Sequence, residues 1–524
     1  MATGRELSYD TRASAMEMAN EVFGDGVTVV GASYSGPRNS AAIFTNGDRA
    51  AGVTPADNGV IFSTGDARDF TQSSGDPNRS TSTSTNTGGT DNNAAFNALA
   101  GTTTYDAVWM DVDFIPVGDT MTMSFVFASE EYPEYVNSSF NDVIGVWING
   151  NIVPISVGNG LTSVNNLNVA NQQNLVIDNT GDAYNTEMDG FTVTLSLTIP
   201  VNIGVLNSIR IGIADAGDSN YDSNLLIAGG SVQTALIAND DDVTINPLGT
   251  RTVDVLANDT AGAGASLVIT SVNGQAVTAG STITLPTGQQ VTLNANGSFT
   301  IVADADTENV SFTYTVSDGL GHSDVGMVNL SSVPCFVAGT GILTPDGEVP
   351  VENLRPGDLV MTHDEGPQPV RWVGRRQVKA EGALAPIIIR AGTFGDHRTL
   401  KVSPQHRVLI RDSLAELLFG ETEVLVSAKD LVNDRSVRIK KGGEVDYVHL
   451  LFDRHQVIWS SGLATESFLP GPQTTRGFER EIVQEICAIF PEMNPQTGLG
   501  YSPAVRRTLK SYEAQVLIST GQAA

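Results

Sequence analysis

Hydrophobic and polar positions alternate with a period of two along most of this chain, and the exceptions lie at its two ends. Over residues 1–22, Leu7, Ala13, Met16, Met18, Ala19 and Val22 fall roughly on one face, which predicts a helix ended by Gly24 and Gly26. From Val27 to about Thr234 the runs MTMSFVFAS, DVIGVWING, FTVTLSLTIPVNIGV and SIRIGIAD are of strand length and bounded by Gly, Asn or Asp. The Ser/Thr/Asn/Gly tract Ser73–Asn93 between them reads as a long exposed loop. A β-sandwich of the jelly-roll type fits this pattern. Alternating strands continue over about 100 further residues to Pro334, the size of a seven-strand sandwich. From Cys335 the strands shorten, with turn signals at Pro345-Asp346-Gly347 and Pro356-Gly357-Asp358, and the β pattern runs to about Pro470. The period then changes. Phe478, Ile482, Ile486 and Phe490 recur about four apart, which predicts an amphipathic helix, and RRTLKSYEAQVL predicts a second short one.

The expected architecture is mainly β and multidomain, in four parts: residues 1–235, 236–334, 335–474 and a helical tail, 475–524. A length of 524 residues is too great for one core and agrees with that division.

Charge divides the chain at the same place. Residues 1–334 hold 36 Asp and Glu, 8 Arg and no Lys, a net of −28; residues 335–524 carry a net of −2. An acidic, lysine-free segment repels phosphate backbones, so nucleic-acid binding is disfavoured. It suits a cation-rich exterior. Glu130, Glu131, Asp142, Asp215, Asp218 and Asp222 are candidate calcium ligands, because calcium takes hard oxygens from several loops. Asp240, Asp241, Asp242, Asp254 and Asp318 form a second candidate set, and solvated loop carboxylates are the plain alternative for both. Two cysteines exclude a disulfide framework. Arg5, Glu6, Asp10, Arg12 and Glu17 leave no apolar core for a signal peptide, so an extracellular or surface location implies a route without one. No stretch approaches the roughly 18 apolar residues of a membrane span.

The candidate chemistry centres on Cys335, which opens the run CFVAGTGILTPDGEVPVENLRPGDLV, with Ser403-Pro404-Gln405-His406 following later. A thiol at the first residue of a domain suits attack on the peptide bond before it. The thiolate is the nucleophile, a histidine can protonate the departing nitrogen, and fixed donors must hold the oxyanion. Cys487 lies in the apolar stripe of the predicted helix and reads as core. His363 and His397 sit among turn residues and read as exposed.

This run resembles the start of the Hint (Hedgehog/intein) family, whose members cut themselves at that cysteine. The resemblance implies that Cys335 is the nucleophile and that the Pro334–Cys335 bond is the cleavage site. It implies that His406 contacts the scissile amide and that Ser403 stands where the family usually has Thr. YVHLLFDRHQVIWSSGL resembles the last strands of the domain, which makes His449, Asp453 and His455 candidate helping groups. Inteins end in His-Asn, and here Glu466 and Ser467 stand instead, so cleavage without splicing is expected. Such a reaction needs no cofactor, has the chain itself as substrate and turns over once. The pieces SFVFASEEYPEYVNSSFNDVIGVWING and IADAGDSNYDSNLLIAGG resemble the choice-of-anchor L domain, which implies attachment or display to a surface or matrix ligand. ANDDDVTINPLGTRTVDVLANDT and FTYTVSDGLGHSDVGMVNL resemble cadherin-like, Ig-like repeats of bacterial adhesins. Two readings stay open: a self-processing protein, or a display protein whose Hint-like domain is structural and uncut.

Overall fold

The computed structural model describes residues 2–469 except 156, 158–159, 246–248, 304–309, 332–334, 381–384 and 434, and beyond them residues 489–490, 501–502, 504–509, 514 and 517. Pro334 and nearly all of the predicted helix around Phe478 therefore lie outside the described residues. The backbone packs as two compact units. One is residues 1–241 with 252–300 and 310–329; the other is residues 242–251 with 301–309 and 330–524.

The first unit opens with a correction. Residues 8–10 form an edge strand, Ser8–Asp10, antiparallel to Ala41–Thr45, and the helix is only Ala15–Val22. Ser14 sets that start: its side chain accepts from the Glu17 N–H while Glu17 bonds back to the Ser14 backbone, a reciprocal cap. Met18, Ala19 and Val22 are buried below it.

Two antiparallel sheets then face each other. One runs Ser8–Asp10, Ala41–Thr45, Asn58–Ser63, Ser223–Ala228, Thr120–Ser129, Gly190–Thr192, Val176–Asp178, with Leu195–Pro200 also paired to Thr120–Ser129. The other runs Val27–Ser35, Thr104–Pro116, Asn207–Ala216, Val143–Ile148, Asn151–Ile152, with Thr162–Ser163 on Val143–Ile148. Period-two alternation puts Phe62, Met110, Val112, Phe114, Phe125, Phe127 and Ile211 into one buried core.

The Ser73–Asn93 tract is a long, mostly exposed loop, tied down at a few points. Pro77 and Asn78 are buried, the Asp222 N–H donates to Thr83 O (2.9 Å), and the Thr85 N–H donates to the Asp222 carboxylate (2.9 Å). Most of its residues are exposed, and a few donors, backbone N–H groups among them, reach the buried carboxylates beneath it.

A second sandwich in the same unit places strand Val310–Ser317 between Ser323–Ser331 and Val268–Val272, with Thr282–Thr284 and Gln290–Leu293 in its other sheet. Phe299, Phe312 and Tyr314 fill its core, and Tyr314 OH donates to Val255 O (3.0 Å).

The second unit holds two further sheets. Trp372–Lys379, Glu444–Leu451, Phe336–Val337, Leu400–Val402, Ile387–Ile389 and Val437–Ile439 form the first, in that order. Gly347–Pro350, Gly341–Thr344, Val457–Ser460, Leu463–Glu466, Arg407–Arg411 and Glu423–Ser427 form the second. Phe336, Val402, Val408, Val448, Leu450 and Ile458 share their core. The described tail residues belong to it too: Leu509, Ala514 and Leu517 are buried there, and Leu425 exchanges backbone hydrogen bonds with Arg507 and Leu509 (both 2.8 Å). No described helix is long and apolar enough to cross a membrane.

Candidate active site

Cys335 precedes the short strand Phe336–Val337, which lies between Glu444–Leu451 and Leu400–Val402. Phe336 is in register with Val448 on one side and Val402 on the other. This central position brings the thiol beside the strand that carries His449 and the turn that carries Ser403 and His406.

Ser403 grips the Cys335 backbone twice. The Cys335 N–H donates to Ser403 Oγ (2.7 Å), and the Ser403 N–H donates to the Cys335 carbonyl (2.9 Å). The Cys335 sulfur lies 3.5 Å from His449 Nε2. It is 8% exposed, in an apolar pocket of Val337, Ala380, Val445 and Tyr447. The His449 ring packs against Phe468 (centroids 5.2 Å apart) and Trp372 (6.5 Å).

His406 closes the Ser403 turn through its N–H to Ser403 O (3.1 Å), and its ring lies 4.3 Å from that of Phe336. It is fully buried, and neither ring nitrogen has a hydrogen-bond partner among the described residues. Burial pushes its imidazole down to about 4, against the upward pull of the Glu466 carboxylate. His406 is thus neutral near pH 7.

Glu466 is 0% exposed. Its Oε1 accepts from the Arg407 N–H (3.0 Å), its Oε2 from the Arg407 guanidinium (3.0 Å), and His455 Nε2 stands 3.5 Å from Oε2. Burial raises the Glu466 pKa, but Arg407 and the neighbouring imidazoles outweigh it and hold it at about 2. His455 Nδ1 accepts from the Val505 N–H of the tail (3.1 Å), so its ring hydrogen sits on Nε2, toward Glu466.

Of the residues the sequence singled out, Cys335, Ser403, His406 and His449 come together, and His455 joins through Glu466. Asp453 lies apart from them: it is half exposed and makes a two-pronged ion pair with Arg371 (both bonds 2.7 Å). His397 is buried rather than exposed, because its Nδ1 is tied to Arg398 O (2.7 Å). Arg407 and the charged role of Glu466 escaped the sequence reading. The adjacency of Arg407 to His406 was the available signal.

The acidic candidates divide. Glu130, Glu131, Asp142, Asp215 and Asp222 are buried, while Asp218 is half-buried and accepts from the Asn220 N–H. Of the second set, Asp254 is exposed, and Asp318 is buried and binds the His322 ring. As the side chains lie, no three His, Cys, Asp or Glu among the described residues are placed to hold one metal ion.

Residues 334–472 match the family model of the Hint domain, residues 7–233 that of the Choice-of-anchor L domain, and residues 233–331 that of a bacterial Ig domain. The chain is a mainly β protein that carries these three domains, and the Hint domain belongs to a self-processing family. Among solved structures it is similar to the gp41-1 intein, at 14% identity over 25% of this chain and 97% of that one, with a TM-score of 0.17. The MchDnaB-1 intein is similar at 13% identity, over 25% of this chain and 98% of that chain, with a TM-score of 0.17. The N-terminal eight Ig domains of Down Syndrome Cell Adhesion Molecule match at 11% identity, over 56% of this chain and 35% of that chain, with a TM-score of 0.16. No curated protein matches the chain.

Proposed function

We propose that this protein cuts itself once, at the Pro334–Cys335 bond, and so releases or transfers its acidic N-terminal part. The observation that carries the reading is the pairing of the Cys335 thiol with His449 (3.5 Å) while the amide N–H of the same residue is held on Ser403 Oγ (2.7 Å). Nucleophile and leaving nitrogen belong to one residue, and each has its own polar partner. Placement within one chain lowers such a barrier by about 7 kcal/mol or more when alignment is good.

The atoms balance as follows. His449 takes the thiol proton as sulfur bonds to the Pro334 carbonyl carbon. The C–N bond breaks with its electron pair on the Cys335 nitrogen. The proton taken by His449 passes to the neutral His406, and the imidazolium so formed, a charge that Glu466 stabilises, delivers it to that nitrogen. The net change is one proton moved from sulfur to nitrogen and an amide exchanged for a thioester. Water or another nucleophile then opens the thioester. Glu466 has no amide nitrogen with which to cyclise, so the reaction stops short of splicing. The Choice-of-anchor L and Ig domains support a surface location for the released part.

The second reading, an uncut display protein, is favoured by the apolar pocket around the sulfur, which disfavours thiolate. Intact mass of freshly expressed protein decides between them. Self-cleavage yields fragments 1–334 and 335–524, and Cys335→Ala yields one whole chain. Wild-type protein that stays whole under added thiol or hydroxylamine rejects self-cleavage.

A further inference from the structure

Three neighbouring strands of the N-terminal sandwich end on carboxylates. Strand Thr120–Ser129 runs directly into Glu130. Ser129 is in register with Gly190 on one side and Ser223 on the other, so Asp189 and Asp222 stand beside Glu130 on the flanking strands. The folded Ser73–Asn93 tract covers this end. Its Arg79 N–H donates to Glu187 (3.0 Å), and its Asn78 amide donates to Asp189 Oδ1 (2.6 Å).

None of these groups faces solvent: Glu130 and Asp189 are 0% exposed, Glu187 2% and Asp222 3%. The independent observation is what Glu130 lacks. Neither of its carboxylate oxygens meets a hydrogen-bond donor, and one oxygen each of Glu187, Asp189 and Asn78 is orphaned as well. Thr83 Oγ1 of the covering tract donates to Glu187 (3.4 Å) and pulls the Glu130 pKa down only against the larger effect of burial. The charged groups acting most strongly on Glu130 are all acidic: Asp189, Glu187 and Asp222. A buried charged carboxylate without counter-ion is strongly unfavourable, so the chain must protonate it or neutralise it from outside.

We propose that this end of the sandwich binds a calcium ion through Glu130, Glu187, Asp189 and Asp222, with the Asn78 carbonyl oxygen as a further ligand. The donor set is all hard oxygen and belongs to five residues on three strand ends and a covering loop. The oxygens do not yet share one ligating point, so the ion must draw them together. That selects calcium, with its long bonds and tolerant geometry, over magnesium, which demands a near-ideal octahedron. The inference is independent of the self-cleavage reading, because it uses no residue of the Hint domain.

The test is calorimetric titration of the EDTA-stripped full chain with CaCl2, alongside terbium luminescence excited through tyrosine. Tyr132, two residues from Glu130 and buried, is the local sensitiser. The expected result is a saturable heat, a melting transition raised by several degrees, and terbium emission displaced by calcium but not by equimolar magnesium. Glu130→Gln is expected to remove all three while the far-UV circular dichroism stays unchanged. If that variant does not fold, Asp189→Asn takes its place. No saturable heat and no melting shift in the wild type overturns the proposal, and so does a folded Glu130→Gln protein that binds calcium like the parent.

Discussion

The two ends of this chain bury carboxylates in opposite ways. In the Hint domain, Glu466 is fully buried, but Arg407 reaches both of its oxygens and His455 stands beside it, and its pKa falls to about 2. In the N-terminal sandwich, Glu130 is equally buried, meets no donor, and is pushed up to about 10, first by desolvation and then by Asp189 and Glu187. Burial is the same in the two places, and the difference is the source of the counter-charge. The Hint domain supplies one at Glu466, and the N-terminal segment, with 8 Arg and no Lys against 36 acids, supplies none of note at Glu130. A self-neutralised carboxylate can serve as a permanent charge beside a reacting imidazole. An unneutralised one is a site waiting for protons or for an ion.

Removing the internal counter-charge has the largest expected effect. Arg407→Met strands Glu466 and should cost about 3–5 kcal/mol of Hint-domain stability, while adding Glu466→Gln should recover most of it. Calorimetric melting of the three variants checks this, and an additive double mutant breaks the comparison.

The two regions should next respond to pH with opposite signs. His406 is held at about 4 against an ordinary 6.5, so the unfolded chain binds more protons, and Hint stability is lost as pH falls from 6.5 toward 4, by about 3 kcal/mol. Glu130 is held above its ordinary 4.5, at about 10, so its contribution is complete below 4.5 and is lost as pH rises toward 10. In EDTA, the two melting transitions of the full chain should move in opposite directions between pH 5 and pH 8. Transitions that move together would defeat the assignment.

Glu130→Gln in EDTA sharpens the contrast further. A neutral isostere should leave the sandwich unchanged or stabilise it by about 1–2 kcal/mol at pH 8, whereas Glu466→Gln should destabilise the Hint domain. The smallest effect is expected at Ser403. Ser403→Ala removes one bond to the Cys335 N–H and should slow cleavage about tenfold, read by gel densitometry over time, with Ser403→Thr restoring the rate.

Much of the fold was legible locally. Runs such as MTMSFVFAS became strands because alternation matches the pleat of a half-buried sheet, and the turn residues lie where the structure turns. The first helix was overextended because Leu7 shares the later apolar stripe; Ser14, a capping residue, marked its true start. The Ser73–Asn93 tract is the exposed loop its composition indicates, and only its position over buried carboxylates shows where a few of its donors go. In the site, Cys335 stood out as the first residue of its domain, and Ser403 and His406 through the resemblance to the Hint family. Arg407 with Glu466 did not, because partners 59 residues apart leave no periodic trace.

The order of apolar and polar residues was enough to determine strand-rich domains, a change of character at Cys335, and a thiol with a Ser-x-x-His to follow. Strand formation is a near-neighbour property, and so is a short motif. Tertiary structure alone decided which charges are buried together. It set His449 against a sulfur 114 residues away, anchored the tail to His455, and left acids as the charges acting most strongly on Glu130. The physical reason is that desolvation and Coulomb energy depend on distance in space, which the chain acquires only when its strands have paired.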